Sequence, residues 1–509
     1  MSEKLVRQGL LDVTVFVCGG VVMTYEIIGS RVLSPFIGAS TYVWTSLIGV
    51  ILGSLSLGYW LGGRMADRKP DLRILASVIF VAGGLISLTV LIKEIALSFV
   101  ASAPVGIELR SLLASLLLFA PASICLGFVT PYAVKLRMLS LADAGKTVGR
   151  LYALSTVGSI LGTFLAGFVL IPFIGSVRTL YGLSALLLLL SLLLVPFVIS
   201  RAKIGVIVVF LFSIVSNEAS VMLLRQANDL HDIDTEYSRV QVFRTADPKT
   251  GRPIEALATD PYFTQSAMFF DSNKHVFDYS RYYHLTRHFN PDFRDVLVIG
   301  GAGYSVPKDF LRRYELVNID VVEIDPQMTQ IAERFFKLKD DPRLDITHED
   351  GRTFLRRTEP AKYDAILMDA FGSLFSVPYQ LTTVEAVTEM RRALRNDGAV
   401  IFNLGSSIEG PASRFLHAEL ATYRAVFPNV YLFKVNADYA DERLQNLIIV
   451  ATASQAALDL SSADSEIASL LSHAYSTEPR TDAAIITDDL APVEYYNAIA
   501  QNIFLKSLR

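Results

Sequence analysis

The chain has 509 residues, of which 52% are hydrophobic, and its mean hydropathy of +0.41 excludes a single ordinary soluble domain. A formal net charge of -4 gives no basic surface for nucleic acid, so no nucleic-acid partner is expected. The two cysteines, Cys18 and Cys125, both lie in apolar segments, which argues against a disulfide framework and against a cysteine-based zinc site.

The composition changes sharply near Leu224, with long apolar segments before it and a mixed, globular composition after it. Most of the apolar segments have the roughly 20 residues that a helix needs to cross the hydrocarbon of a bilayer. Their glycine, alanine and serine content suits close helix packing. Residues 1–224 are therefore predicted to form a helical membrane domain with six or seven spans. The candidate spans are 10–33, 42–63, 74–92, 109–130, 151–171, 179–200 and 204–224.

Two charged residues, Glu26 and Arg31, lie within or at the end of the first candidate span. Charge inside a membrane is costly and points to function by default. A structural contact, to each other or to a backbone carbonyl, explains these two residues equally well. Both interpretations stay open at the level of sequence.

Short strands replace the apolar helices over residues 237–270, where SRVQVF, IEALAT and SAMFFD are separated by turn residues. They predict a small antiparallel β-element within a region 225–290 that precedes the main sheet. Residues 276–289 predict an aromatic-rich helix, in which Tyr279, Tyr282 and Tyr283 are expected to pack in a core or lid. His284 and His288 are four residues apart without a third ligand, so they are expected on the helix surface rather than on a metal.

The central motif of the chain is DVLVIGGAGY, residues 295–304. Its apolar run predicts a buried parallel strand, the glycines a tight turn, and residues 305–313 a helix. A strand, a glycine turn and a helix allow the backbone to approach a nucleotide closely. A GGxG turn alone is weak support for ligand binding, so the carboxylates that follow are needed to strengthen it.

Acidic side chains follow three further predicted strands, as Glu323, Asp350 and Asp369. Glu323 lies roughly 20 residues beyond the glycine turn, where an acidic residue grips a ribose diol. In open α/β sheets, ligands bind at the carboxyl ends of the strands, so these three acids are expected to converge in one cleft. Asp325, in contrast, is expected to cap the helix that follows it.

Several motifs occur in this order and resemble the spermidine synthase (polyamine aminopropyltransferase) family: QSAMFFD, FDYSRYY, VLVIGGAG, VEIDP, EDGRTFL and YDAILMDAF. The resemblance covers about residues 237–451. The preceding spans, the DAF variant and the closing TDDLAPVEY resemble the membrane-bound branch of that family. The resemblance implies a transferase of polyamine biosynthesis, with a Rossmann-like catalytic domain of the S-adenosylmethionine-methyltransferase type over residues 291–509.

The resemblance also implies roles for individual residues. Asp369 corresponds to the acid that accepts a proton from the attacking amine, a role with a physical basis because an ammonium cannot attack carbon. The sulfonium of the donor supplies its own leaving group, so no metal is expected. Donor binding is implied for Gln265, Gly300, Gly301, Gly303, Glu323, Asp350 and Gly351, and acceptor binding for Tyr279 and Tyr379.

Three positions depart from the family pattern. Gly303 stands where the glycine loop normally carries an acid, Arg281 replaces a glutamate, and Gly372 replaces a second acid. Each missing carboxylate removes a charge-assisted hydrogen bond to an amine, worth roughly 1.5–3 kcal/mol.

These departures leave several functions open. In the first, the enzyme transfers an aminopropyl group from decarboxylated S-adenosylmethionine to an amine, with Asp271, Asp488 or Asp489 supplying the lost contacts. In the second, intact S-adenosylmethionine is the donor for methyl transfer to a membrane-associated substrate, and Arg281 attracts its carboxylate. A third hypothesis is a transporter or sensor that binds a nucleoside or polyamine without catalysis. A homodimer is possible.

The location of the catalytic domain follows from two basic loops, residues 63–73 and 135–150, which are expected to face the cytoplasm. If residues 204–224 crossed the membrane fully, the catalytic domain would emerge on the outer side, whereas its co-substrate belongs inside the cell. The uninterrupted apolar part, 204–215, is short. We therefore expect 204–224 to be re-entrant or interfacial, and the protein to be a multi-pass cell-membrane protein with a cytoplasmic catalytic domain.

Overall fold

The computed structural model describes residues 2–38, 40–138, 144–195, 201–260, 262–272, 274–370, 377–457, 459–476 and 483–507. The chain divides into two compact units. The first comprises Met1–Ala227 with Ile233–Arg239, and the second comprises Asn228–Asp232 with Val240–Arg509. The end of the long helical stretch at Ala227 lies close to Leu224, where the composition of the sequence changes.

Helices make up almost all of the described part of the first unit. Five of them are long and apolar enough to cross a membrane, and a bent pair, α4 and α5, brings the number to six if it is one span. The helices are α1 (Ser2–Ile37), α2 (Thr41–Arg68), α3 (Leu72–Ala101), α4 (Ile107–Leu118), α5 (Ala120–Arg137), α6 (Ala144–Leu165, continuing as a π-helix over Ala166–Ile174), α7 (Ser176–Leu194) and α8 (Arg201–Asn228).

The predicted span 109–130 is not one straight helix. α4 and α5 meet at an angle of 56° near Phe119. Pro121, at the start of α5, lacks an N–H group and its ring clashes with the preceding turn, which explains why the helix breaks here.

The last predicted span corresponds to α8, whose apolar part, Lys203–Asn217, is shorter than a full crossing needs. α8 is a single continuous helix, and the re-entrant or interfacial placement of this segment stays a prediction. α8 packs on other helices of the unit, because the Ser213 hydroxyl lies 2.7 Å from that of Ser87 and the Ser213 carbonyl accepts from the Tyr181 hydroxyl at 2.7 Å. Near the end of α1, Arg31 donates to the backbone carbonyl of Glu236, one of the two roles that the sequence left open for it.

Glycines allow two helix pairs of this unit to approach closely. A Cβ atom at Gly158 of α6 would lie 2.0 Å from the carbonyl oxygen of Phe16 in α1. In the α2–α5 pair, a Cβ at Gly58 would lie 2.3 Å from the carbonyl oxygen of Ile124. Small residues at these contacts let the helix backbones pack against each other, as is common in membrane helices.

We expect Gly158→Ala to lower the stability of the helical unit by about 1–3 kcal/mol, because the added methyl group overlaps the α1 backbone. Gly149→Ala, on the same helix, is the matched control. Nothing lies within 4 Å of a Cβ at Gly149, so this variant should gain about 0.5–1 kcal/mol of helix propensity. Thermal unfolding of the purified protein in detergent measures both effects, and equal shifts in the two variants would contradict the packing role of Gly158.

The second unit begins with antiparallel strands, as the sequence predicts, although the end of the first strand and the first residue of the second strand are counted with the first unit. They form a four-stranded sheet in the order β1-β2-β3-β4, and both β2–β3 and β3–β4 pair antiparallel. The segment 276–289 differs from the single predicted helix, because it is a 3-10 helix over Asp278–Leu285 followed by one turn of α-helix. The elements are β1 (His231–Asp234), β2 (Arg239–Ala246), β3 (Pro253–Ala258), β4 (Thr264–Phe269) and α9 (Thr286–Phe289).

A seven-stranded mixed sheet forms the core of this unit, in the order β10-β11-β9-β8-β5-β6-β7. Strands β5 to β9 run parallel to one another, whereas β11 pairs antiparallel with β9 and β10. The strands are β5 (Asp295–Ile299), β6 (Asn318–Glu323), β7 (Leu344–His348), β8 (Tyr363–Met368), β9 (Leu394–Ser406), β10 (Asn429–Lys434) and β11 (Gln445–Thr452).

Helices connect the parallel strands and complete a Rossmann-like fold of the methyltransferase type, as predicted. β8 is buried at every residue, as expected for a strand with both faces covered. The helices are α10 (Ser305–Arg313), α11 (Pro326–Phe335), α12 (Gly351–Arg357), α13 (Val384–Ala393), α14 (Arg414–Arg424), α15 (Ser465–Leu471) and α16 (Val493–Ser507), with 3-10 turns at Tyr379–Leu381 and Pro411–Ser413.

The register of the sheet brings the carboxyl ends of the parallel strands to one edge. Ile299 at the end of β5 pairs with Val322 of β6 and with Met368 of β8, and Met368 pairs with Phe402 of β9. The glycine turn, Glu323, Asp369 and Asn403 therefore all lie at this edge.

One buried acid of this unit lies outside that edge. Glu419 of α14 is 0% exposed, and neither of its carboxyl oxygens has a hydrogen-bond partner among the described residues. Burial raises the pKa of Glu419 well above its ordinary value, because a charged carboxylate is poorly solvated there. An unsatisfied buried polar group costs about 1–3 kcal/mol, so Glu419 destabilises the fold.

We expect Glu419→Met to raise the free energy of unfolding by about 1–3 kcal/mol. Because the folded-state pKa lies above the unfolded-state value, wild-type stability falls as pH rises through the ordinary range of a glutamate, and the gain from methionine should be larger at pH 8 than at pH 4. Calorimetry of the full chain in detergent, at pH 4 and at pH 8, measures this gain in the free energy of unfolding. Glu419→Gln, which cannot ionise, should remove the pH-dependent part alone, and a gain that does not change with pH would contradict this assignment.

Candidate functional site

The glycine turn after β5 packs directly against the end of β8. Gly300 has φ +99°, and a Cβ atom there would lie 2.7 Å from the carbonyl oxygen of Asp369. Only glycine combines this backbone conformation with so close an approach. The residues after β5 and β8 thus form one continuous surface, with Gly300 next to Asp369.

The first acid of the predicted set, Glu323, supports the glycine turn from behind. Its Oε2 atom accepts from the backbone N–H groups of Gly301 at 2.8 Å and Ala302 at 3.3 Å, and its Oε1 atom accepts from that of Asp325 at 2.9 Å. Burial raises the pKa of Glu323, and these backbone hydrogen bonds lower it. Asp325 caps α11 as predicted, since its side chain accepts from the N–H of Gln327 at 3.0 Å.

The second acid, Asp350, caps α12. Its Oδ1 atom accepts from the backbone N–H of Thr353 at 3.0 Å, while Oδ2 lies 3.5 Å from the side-chain nitrogen of Gln380. Gly351 begins α12, and a Cβ atom there would lie 2.9 Å from the side chain of Ile299, so β5 packs closely on this helix start. Asp350 therefore has one oxygen engaged in the helix and one directed to Gln380.

The third acid, Asp369, has the strongest functional signature. Burial raises the pKa of its carboxyl group from 3.8 to about 7, and side-chain hydrogen bonds from Tyr283, Asn403 and Tyr279 act in the opposite direction. A carboxyl group with a pKa near neutrality can both accept and release a proton under physiological conditions. Perturbed carboxyl groups of this kind are characteristic of active sites.

A small open cavity lies beside Asp369. It is bounded by β4, the segment before α9, the glycine turn and the start of α10. Among the predicted site residues, the structure brings together Gln265, Tyr279, Gly300, Gly301 and Asp369 as lining residues.

The remaining predicted residues are not among the described residues that line this cavity. The hydrogen bonds given above turn Glu323 and Asp350 to their own loops. Of the three acids that were predicted to converge in one cleft, only Asp369 lines this cavity. Tyr379 is 51% exposed in its 3-10 turn. Gly372 lies outside the described residues.

The acids considered as substitutes for the missing carboxylates are engaged elsewhere. Asp488 accepts from Arg352 at 3.1 Å and from the Thr383 hydroxyl at 2.6 Å, which ties the C-terminal segment to α12 and α13. Asp489 is exposed beside it. Asp271 is exposed and pairs with Arg252.

Gly303, where the family pattern has an acid, is packed directly against the side chain of Ser266. A Cβ atom there would lie 2.3 Å from the hydroxyl oxygen of Ser266. The Ser266 hydroxyl lies in turn 3.3 Å from that of Ser305, and both serines line the cavity. A pair of hydroxyl groups is therefore packed against the loop position that carries the acid in the family pattern.

Sequence reasoning missed two further polar residues. Asn403 of β9 is 7% exposed and hydrogen-bonds Asp369, while its Oδ1 atom has no partner among the described residues. A single amide in the apolar run AVIFNL was the available signal. His275, which also lines the cavity, lies in a short loop that carried no recognisable pattern.

His275 belongs to a buried cluster with His284 and Asp309, whose nitrogen and oxygen atoms lie within 4.8 Å of one another. The expectation that His284 lies on a helix surface is wrong, because this residue is 0% exposed and its ring stacks on Phe310. Two guanidinium groups, of Arg312 and Arg313, also contact the Asp309 carboxylate. Their positive charge opposes a divalent cation at this position, so we interpret the cluster as a hydrogen-bond network.

The Tyr283 hydroxyl donates to the Met368 carbonyl at 3.1 Å and also lowers the pKa of the neighbouring Asp369 carboxyl. We therefore expect Tyr283→Phe, which lacks this hydroxyl, to shift the acidic limb of the activity–pH profile upward from about pH 7. An activity that requires the ionised Asp369 carboxylate should rise with pH in both proteins, with a higher midpoint in the variant. The measurement is kcat between pH 5.5 and 9. Tyr282→Phe is the control, because its hydroxyl bonds to the Lys434 carbonyl and to His473. Equal midpoints in wild type and Tyr283→Phe would contradict the assignment.

Comparison with known proteins shows which family the chain resembles. Residues 277–458 match the family described as "Spermine/spermidine synthase domain". A polyamine aminopropyltransferase of Vibrio vulnificus is 30% identical over 234 residues, which cover 45% of this chain and 75% of that protein. Polyamine aminopropyltransferase 1 of Streptomyces coelicolor is 23% identical over 432 residues, which cover 79% of this chain and 77% of that protein.

The match to the Streptomyces protein covers more of the chain than the second unit alone contains, so the similarity extends into the helical unit. Among solved structures, a probable spermidine synthase from Corynebacterium glutamicum is 21% identical and covers 49% of this chain and 93% of its own, with a TM-score of 0.42.

The Rossmann-like fold and the sequence relatives define a transferase. More specifically, the chain belongs to the spermine/spermidine synthase family.

Proposed function

We propose that the chain transfers an aminopropyl group from decarboxylated S-adenosylmethionine to an amine, with Asp369 as the proton acceptor. The observation that carries this proposal is the partly buried Asp369 carboxyl, with its pKa raised to about 7, beside a cavity at the glycine turn. The aminopropyltransferases among its relatives support the reaction class.

The reaction requires a neutral amine, because an ammonium has no lone pair to attack carbon. Asp369 removes a proton from the ammonium, and the nitrogen then attacks the carbon next to the sulfonium. A C–N bond forms, the C–S bond breaks, and its electron pair stays on sulfur as a neutral thioether. Tyr279, Tyr283 and Asn403 hold the carboxylate in place during proton transfer.

The donor occupies the cavity against Gln265, Gly300 and Gly301, which line it. Gln265 presents a buried Oε1 atom that has no partner among the described residues, as expected of a group that binds a ligand. In this proposal the adenosine part of the donor extends beyond the cavity, where Glu323 reaches the ribose and Asp350 and Gly351 bind adenine, and Gly303 lets the backbone pass the donor chain. Tyr279 and the exposed Tyr379 contact the acceptor.

A second candidate is methyl transfer from intact S-adenosylmethionine. One observation favours it: Asp369 is the only carboxylate among the described residues that line the cavity. An ammonium at the end of the donor chain therefore lacks the acidic partner of the family pattern, and Ser266 fills the space beside Gly303.

We further propose that the enzyme is a multi-pass protein of the cell membrane. Five or six helices have the length and composition for crossing. The basic loops favour a cytoplasmic catalytic domain. The three-part division of the chain into 1–224, 225–290 and 291–509 is part of this proposal, as is an acceptor that is either a small amine or membrane-associated.

We expect Asp369→Asn to lower kcat by about 10²–10⁴-fold, because the amide cannot accept the proton, while donor binding persists. Calorimetric titration of the detergent-solubilised protein compares decarboxylated with intact S-adenosylmethionine. Clear preference for the decarboxylated donor would exclude methyl transfer, and the opposite preference would exclude aminopropyl transfer. Unchanged turnover in Asp369→Asn would exclude Asp369 as the base.

A further inference from the structure

His275 is the one ionisable side chain, among the described residues that line the cavity, that the proposed reaction does not use. It follows β4 and forms an isolated antiparallel bridge with Met268 of that strand. Its side chain is 7% exposed and lines the cavity together with Ser266 and Ser305. It therefore lies on the side of the cavity that also contains Gly303, where the family's loop acid is absent.

The hydrogen-bond network assigns the tautomer of His275. The Oδ2 atom of Asp309 lies 2.9 Å from Nε2 of His275 and 2.8 Å from Nε2 of His284. The neighbouring arginines and histidines hold the pKa of Asp309 well below its ordinary value, so its carboxylate only accepts hydrogen bonds. Both rings must then carry their proton on Nε2.

The other ring nitrogens of the two histidines differ in their surroundings. Nδ1 of His284 lies 2.8 Å from the Tyr314 hydroxyl, which satisfies it. Nδ1 of His275 has no hydrogen-bond partner among the described residues. In a neutral imidazole that carries its proton on Nε2, Nδ1 is a hydrogen-bond acceptor, and in His275 this atom is the one without a protein partner among the described residues.

The spacing along α10 places this acceptor near the two serines. Ser305 begins the helix, and Asp309 follows one turn later on the same face. Ser305 contacts Ser266, while Asp309 holds His275. The two serine hydroxyls and Nδ1 of His275 are three acceptors, and an alkylammonium has three N–H donors.

We infer that His275 binds the ammonium end of the donor's aminopropyl chain through Nδ1, in place of the carboxylate that the glycine loop lacks, and that Asp309 is its positioning residue. The inference rests on the proposed aminopropyl transfer and names the group that selects its donor. These groups would also favour the decarboxylated donor over intact S-adenosylmethionine, because a neutral imidazole and two hydroxyls offer no positive charge to the carboxylate of the intact donor.

Two variants separate the functions of the two ring nitrogens. In His275→Gln the side-chain amide reaches the position of Nε2, so the bond to Asp309 is kept and the acceptor at Nδ1 is lost. In His275→Asn the amide oxygen lies near the position of Nδ1, so the acceptor is kept and the bond to Asp309 is lost. The full-length protein in detergent is titrated with decarboxylated S-adenosylmethionine and with 5′-methylthioadenosine, which shares the adenosine and thioether but has no ammonium.

We expect His275→Gln to weaken binding of decarboxylated S-adenosylmethionine about 10-fold, the loss of one charge-assisted hydrogen bond, and to leave binding of methylthioadenosine unchanged. His275→Asn should weaken the donor less. Unchanged methylthioadenosine binding also shows that a variant is folded.

Two results would overturn the inference about His275 without touching the proposed function. The first is an equal affinity of wild type and His275→Gln for the decarboxylated donor, and the second is an equal loss of affinity for the donor and for methylthioadenosine in His275→Gln. In either case a wild type that binds the decarboxylated donor more tightly than methylthioadenosine would leave the proposed function intact. A wild type that prefers intact S-adenosylmethionine would instead refute the proposed donor, and the role of His275 with it.

Discussion

The carboxyl group of Asp369 is the constraint on which the site depends, because two opposing effects meet in it. Burial disfavours its charged form, and hydrogen bonds from Tyr279, Tyr283 and Asn403 favour that form. The balance leaves a pKa of about 7. The balance requires three separate elements, the 3-10 segment, β8 and β9, to meet at one point. It also requires Gly300, since any side chain there would displace the residues after β8.

The sheet edge was accessible from sequence because it follows from chain order and strand composition. Apolar runs such as DVLVI and YDAILM predict buried parallel strands, and parallel register places their carboxyl ends together. The direction of each acidic side chain was not accessible in the same way. Glu323 bonds to backbone groups 21 and 22 residues away, and Asp350 to the first turn of its own helix, so neither lines the cavity beside Asp369. Such contacts depend on loop conformation, which hydrophobic periodicity does not encode.

The same reasoning explains the errors elsewhere in the chain. The apolar segments predicted the location of the helical unit, but a break at Pro121 and the short apolar part of α8 reduce the candidate spans to five or six. The sequence placed His284 on a helix surface because His284 and His288, four residues apart, have no third metal ligand nearby in the sequence. Its actual partner, Asp309, is 25 residues away on another element. The contacts of Asn403 and His275 are likewise distant in sequence, which is why neither was a candidate.

The loss of the loop acid and the serine pair beside Gly303 are connected physically. Ser266 lies so close to Gly303 that any larger residue in the loop would collide with it. Restoring an acid at position 303 therefore requires Ser266 to move, and Ser266 is itself 5% exposed and in contact with Ser305. A charged partner for the donor chain is thus missing from position 303. In the proposed function, hydroxyl and imidazole acceptors take its place on the facing wall, formed by β4, the start of α10 and the loop that carries His275.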